Sequence, residues 1–194
     1  MTEEKTIRTF LAIELPEEIR KEIANIQDHL KKNIRGVITW VRPERIHLTL
    51  KFFGNISGDD VVNISRVVEN SVAGVRPFSL SVKAVGVFPD VMRPRVVWLG
   101  INGDVVPLSN LHKVMDRGFQ DYGFKREERP FRPHLTLGRI KSPKGMVGLA
   151  TVVEGGGGYI AGQFQAGGLT LFKSDLTPGV AIYTKLAWFP LRGI

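Results

Sequence analysis

The chain has 194 residues, 43% of them hydrophobic and 24% charged, with a formal net charge of +8 and no cysteine. That size and balance fit one globular domain, or two small lobes sharing a core, and the missing cysteines exclude disulfides, thiolate zinc sites and thiol nucleophiles. No apolar run approaches the roughly 20 residues of a membrane helix, and the charged start "MTEEKTIRTF" lacks a secretory apolar stretch, so a cytoplasmic protein without a membrane partner is expected.

In chain order, "TIRTFLAIEL" alternates and predicts a first strand. Pro16 opens a helix, with Ile19, Ile23, Ile26 and Leu30 at helical spacing, glutamates early and lysines late. "VITWV" and "IHLTLKFFG" predict strands, the second ended by Gly54-Asn55. "GDDVVNISRVVENSVAG" predicts a second helix, capped by Asp59 or Asp60 and stopped by Gly74. "FSLSVKAVGVFP" and "RVVWLGI" predict a hairpin joined by "DVMRP". A third helix is expected over "DVVPLSNLHKVMDRGFQDYG", then a basic loop and the strand "HLTLGRI". A short helix follows, running into the glycines 155–158, which are expected to form a mobile loop. "YIAGQFQAGGLTLFKSDL" and "VAIYTKLAWFP" are strand-like. Irregular alternation with short links predicts α+β architecture with mainly antiparallel sheets, not a doubly wound parallel sheet.

The charge is unevenly placed. Acids and bases balance up to Arg35, but from Arg129 onward Glu154 and Asp175 stand against eight lysines and arginines. A sequence pI near 9.9 suits a polyanion, and nucleic acid is the commonest one.

One tetrapeptide occurs twice. "RPERIHLTLKFFG" carries it in the first half and "RPHLTLGRI" in the second, each behind an Arg-Pro and before a basic residue or a glycine. Alone, such a tetrapeptide is weak evidence, a histidine on the polar face of a leucine-backed strand. Its recurrence near half the chain length predicts a duplicated half. The expectation is a single domain over residues 1–194 with two pseudo-symmetric lobes, each presenting one His-x-Thr-x strand to a central cleft, helices outside. On a strand, His47 shares a face with Thr49, and His134 with Thr136. Two imidazoles across a cleft suit paired proton transfer, one as base and one as acid, because their ordinary pKa lies near working pH. Two hydroxyls nearby suit the oxygens of an anion. Arg139, five residues after His134, faces away from it on an ideal strand unless Gly138 bends the chain; Arg132 is a further candidate phosphate contact.

The paired motif resembles the 2H phosphoesterases, and "RTFLAIELPEEIR" with "HLTLKFFG" is more narrowly similar to the RNA 2′,3′-cyclic phosphodiesterases, also called 2′-5′ RNA ligases. That resemblance runs from Arg8 to about Phe189. It implies a bilobal fold and metal-free, cofactor-free hydrolysis of RNA 2′,3′-cyclic phosphate ends to 2′-phosphate ends. It implies His47 as proton donor, His134 as proton acceptor, and Thr49, Thr136, Arg139 and Arg132 as substrate contacts. Reversible 2′-5′ ligation, tRNA fragments as substrates and a monomeric state are further expectations. The residues alone leave the order of acid and base open, because the two motifs are near-identical.

Rival chemistries find less support. Neither motif carries the nearby carboxylate a zinc hydrolase would use. The glycines 155–158 lack the lysine and hydroxyl of a phosphate-binding loop, and no G-x-S-x-G elbow exists. The alternative of another class is a non-catalytic RNA-binding protein with a basic cleft, stacking bases on Trp40, Phe52, Phe53 or Phe131. Those aromatics are expected in the core. His29 is expected on a helix surface and His112 in a structural position.

Overall fold

The computed structural model describes residues 6–177 and 180–193. Its strands are β1 (Ile7–Ile13), β2 (Ile38–Trp40), β3 (Leu48–Ile56), β4 (Phe78–Phe88), β5 (Val96–Gly103), β6 (His134–Ile140), β7 (Ile160–Ala166), β8 (Gly168–Thr177) and β9 (Val180–Pro190). The helices are α1 (Glu17–Asn33), α2 (Gly58–Val72), α3 (Val105–Gln120) and the short α4 (Leu149–Glu154). Every strand pairing is antiparallel. One sheet runs β3-β1-β8-β9 and the other β2-β6-β5-β4-β7, so each sheet carries one motif strand. This is the expected α+β architecture of two antiparallel sheets.

The sheets do not divide the chain into halves. β2 belongs to the first half yet pairs with β6 in the second sheet, while β8 and β9 close the first sheet beside β1. The helices cross over as well. α1 leaves β1 and packs its Ile19, Ile23, Ile26 and Leu30 stripe toward β7 of the other sheet. α2 and α3 pack together. A core of Leu11, Ile13, Leu48, Leu99, Leu135, Leu137, Leu169 and Leu171 lies between sheets and helices. The leucines of both tetrapeptides point into it, and burying each stabilises the fold by about 2 kcal/mol.

Several boundaries differ from the sequence reading for local reasons. Ser57, not Asp59 or Asp60, caps α2: its hydroxyl accepts from the Asp60 amide while the Asp60 carboxylate accepts from the Ser57 amide. Gly54-Asn55 does not end β3, which continues to Ile56 across a left-handed Gly54 (φ 79°). "YIAGQFQAGGLTLFKSDL" is two strands in different sheets, changing at Gly167. Within the glycine stretch Gly155 ends α4 and Gly156–Gly158 form a 3₁₀ turn; Gly156 is buried so closely on the Val85 carbonyl that no Cβ fits.

Candidate active site

β3 and β6 lie against each other, each beginning with its motif. The two histidines are held alike. His47 Nδ1 donates to the Arg45 carbonyl at 2.8 Å, and His134 Nδ1 donates to the Arg132 carbonyl at 2.7 Å. A carbonyl only accepts, so each ring carries a proton on Nδ1, and Nε2 is left out of that bond. Both histidines and both threonines are half-buried, between leucines buried on the opposite face.

Both strands then bulge at the same place. Opposite β5, Trp98 pairs with Thr136 and Val97 with Gly138, so Leu137 is the extra residue. Opposite β1, Ala12 pairs with Thr49 and Leu11 with Lys51, so Leu50 is extra. Each bulge falls on the leucine that closes the tetrapeptide. A bulge adds one residue and reverses the alternation beyond it. Leu137 and Gly138 are both buried, and so are Leu50 and Lys51. Arg139 therefore emerges on the face of His134 and Thr136, exposed, which reverses the core-facing placement of an ideal strand. By the same parity Phe52 emerges on the face of His47 and Thr49, 54% exposed. Phe52 is thus not a core residue, unlike Trp40, Phe53 and Phe131, which pack against the core. Of these aromatics, Phe52 alone follows a motif histidine at five residues, as Arg139 does. The Arg132 side chain is exposed, and its backbone carbonyl orients His134.

The surroundings of the histidines differ. His47 stacks on Phe10 with ring centroids 4.6 Å apart and meets Tyr183 edge-on at 5.5 Å. Phe172 stacks on Phe10 at 5.2 Å and lies 6.3 Å from the His47 ring. His134 meets Phe88 edge-on at 4.9 Å, and Phe88 leans on Trp98 at 5.1 Å. Gly86 makes room for that indole, since a side chain there would collide with it. Glu14 accepts from Thr170 and from Lys185, both at 2.7 Å. Burial lowers the His47 pKa from the ordinary 6.5 to about 4, against the Arg45 hydrogen bond and the Glu14 charge, which raise it. The free site thus holds His47 neutral at pH 7. NMR titration of the His47 ring is expected to centre near pH 4 and to move up toward 6.5 in Phe10→Ala, which exposes the ring. Because the unfolded chain takes up this proton first, His47 contributes stability above pH 6.5 that is lost as pH falls toward 4. A denaturation midpoint that stays flat over that interval would contradict this.

The other histidines lie elsewhere. His29 is exposed on α1, and His112 is buried on α3, stacked on Phe131 at 4.0 Å. Among the described residues no three histidine, aspartate or glutamate side chains gather as a metal site, and no helix is long and apolar enough to cross a membrane.

Comparison with known proteins agrees with this arrangement. The family model described as LigT-like phosphoesterase matches residues 13–98 and 100–183, one stretch around each motif. The chain is 37% identical to the RNA 2′,3′-cyclic phosphodiesterase of Methanothermobacter thermautotrophicus, over 95% of this chain and 99% of that one. It is 35% identical to the protein of the same name from Methanocaldococcus jannaschii, over 91% and 96%. Among solved structures it superposes on TT0787 of Thermus thermophilus with a TM-score of 0.77 at 27% identity, over 96% and 99% of the two chains. It superposes on E. coli LigT complexed with 3′-AMP with a TM-score of 0.75 at 26% identity, over 96% and 99%. With two histidine motifs held alike and a family match around each, the chain belongs to the LigT-like phosphoesterases.

Proposed function

We propose that this protein hydrolyses RNA 2′,3′-cyclic phosphate ends to 2′-phosphate ends, with no metal ion in the chemistry. The observation that carries the reading is the matched pair of Nδ1–carbonyl bonds, which leaves Nε2 of each motif histidine available for proton transfer. The names of the Methanothermobacter and Methanocaldococcus relatives point to the same substrate.

His134, neutral, takes a proton from water at Nε2 as the water oxygen bonds to phosphorus. The P–O3′ bond breaks, and His47, charged in the complex, gives its Nε2 proton to O3′. The phosphate stays on O2′, and solvent returns both rings to their starting states. His47 is neutral in the free site, so the phosphodiester anion supplies the charge that raises its pKa on binding. Thr49, Thr136 and Arg139 donate to the non-bridging oxygens, with Arg132 at the rim. A 5′-hydroxyl in place of water forms a 2′-5′ linkage through the same groups, without ATP. Phe52 supplies an exposed ring for the base at the cyclic end; Phe52→Ala is expected to raise KM about tenfold with kcat nearly unchanged, as loss of one stacked base would.

The test is a short RNA ending in 2′,3′-cyclic phosphate, incubated with the protein and a chelator. A 2′-phosphate product supports the reading. A 3′-phosphate product would mean that the wrong oxygen leaves, and binding without turnover would leave a non-catalytic RNA-binding protein.

A further inference from the structure

Gln27 is 1% exposed on the core-facing side of α1, within a stripe otherwise made of isoleucine and leucine. Its Nε2 donates to the Val41 carbonyl at 2.8 Å and to the Leu137 carbonyl at 2.9 Å. Both partners only accept, so the amide nitrogen must face them. The Leu137 carbonyl also accepts from the Val41 amide at 2.8 Å. Leu137 is the bulged residue of β6, the one whose insertion turns Arg139 onto the histidine face. Val41 opens the lead-in to the first motif, followed by the Pro43–Arg45 turn whose last carbonyl orients His47. One buried amide therefore clamps the second motif's bulge to the first motif's approach.

The amide carries a cost that a purely structural residue would avoid. Gln27 Oε1 is buried and has no hydrogen-bond partner among the described residues. A buried unpaired acceptor is destabilising; an aliphatic side chain would lack it, but would take from the Val41 carbonyl the donor it has here. What the amide supplies in return is its pair of donations, and the bulge is their target.

We propose that Gln27 is a positioning residue: it locks the Leu137 bulge and through it the placement of Arg139 over the histidine face. The inference rests on the proposed hydrolysis for its kinetic readout, and on backbone exchange for a readout independent of activity. Gln27→Met keeps the volume and removes both donations. It is expected to lower kcat/KM for a cyclic-phosphate RNA end about tenfold in the otherwise unchanged protein, but less than about twofold in an Arg139→Ala background. Exchange of the Val41 amide, which shares the Leu137 carbonyl, is expected to quicken at least about tenfold as the bulge loosens. Equal losses in both backgrounds would mean a general packing role and overturn the proposal, as would unchanged Val41 exchange. If Gln27→Met does not fold, Gln27→Asn keeps a donor on a shorter arm and is expected to show the same dependence on Arg139, with a smaller loss. Should the parent protein leave cyclic phosphate intact, the hydrolysis reading fails while the exchange result still decides the clamp.

Discussion

His47→Ala and His134→Ala are each expected to lower kcat by about a thousandfold, with KM changed by less than about threefold. The reason is geometric. Each ring is already oriented by its own backbone carbonyl, so removing one leaves the other intact but without its counterpart in proton transfer. The double variant is expected to be little slower than either single one, because acid and base act in one step. Thermal midpoints should diverge instead. Replacing His47 opens a gap against Phe10 and Tyr183, whereas His134 meets only the edge of Phe88 among the described aromatics. Steady-state rates and melting curves on the same preparations separate the two effects. Losses that multiply in the double variant would argue against a shared step.

Arg139→Ala is expected to be the next most damaging change, lowering kcat/KM about a hundredfold, and Arg139→Lys is expected to restore only part of it. The bulge puts Arg139 on the strand face of His134 and Thr136, and in the proposed reaction a planar guanidinium can meet two non-bridging oxygens at once. Lysine offers a single charge on a flexible stem. Inserting one alanine between Gly138 and Arg139 would turn the arginine inward, so that variant should be as impaired as Arg139→Ala even though the arginine remains. Kinetics of the three variants on one cyclic-phosphate substrate test this; full activity in the insertion variant would refute the parity argument.

The histidine–threonine pairs were readable in the sequence because strand alternation is a local property, and the leucines of "HLTL" indeed fill the core from both strands. The antiparallel architecture was readable for a similar reason, since short links such as "DVMRP" permit only a hairpin. Sheet membership was not. Nothing within "YIAGQFQAGGLTLF" marks Gly167 as the change of sheet, which depends on β4 and β1 being already in place as partners. Phe52 was misplaced, and Arg139 depended on a bend at Gly138, because a bulge is set by the partner strand's register and alternation counted along one strand cannot register an inserted residue. Gln27 lay in plain view on the isoleucine stripe of α1, but its partners are far along the chain and meet only in the fold.

The central claim is that His47 is the acid and His134 the base on one phosphate. It is tested most directly with a substrate carrying sulfur in place of the bridging O3′. A thiolate leaves without being protonated, so the acid becomes dispensable and the base does not. This substrate is expected to restore His47→Ala to within about tenfold of the parent protein, while His134→Ala stays about a thousandfold slower. Rescue of His134→Ala instead, or of neither variant, would contradict it.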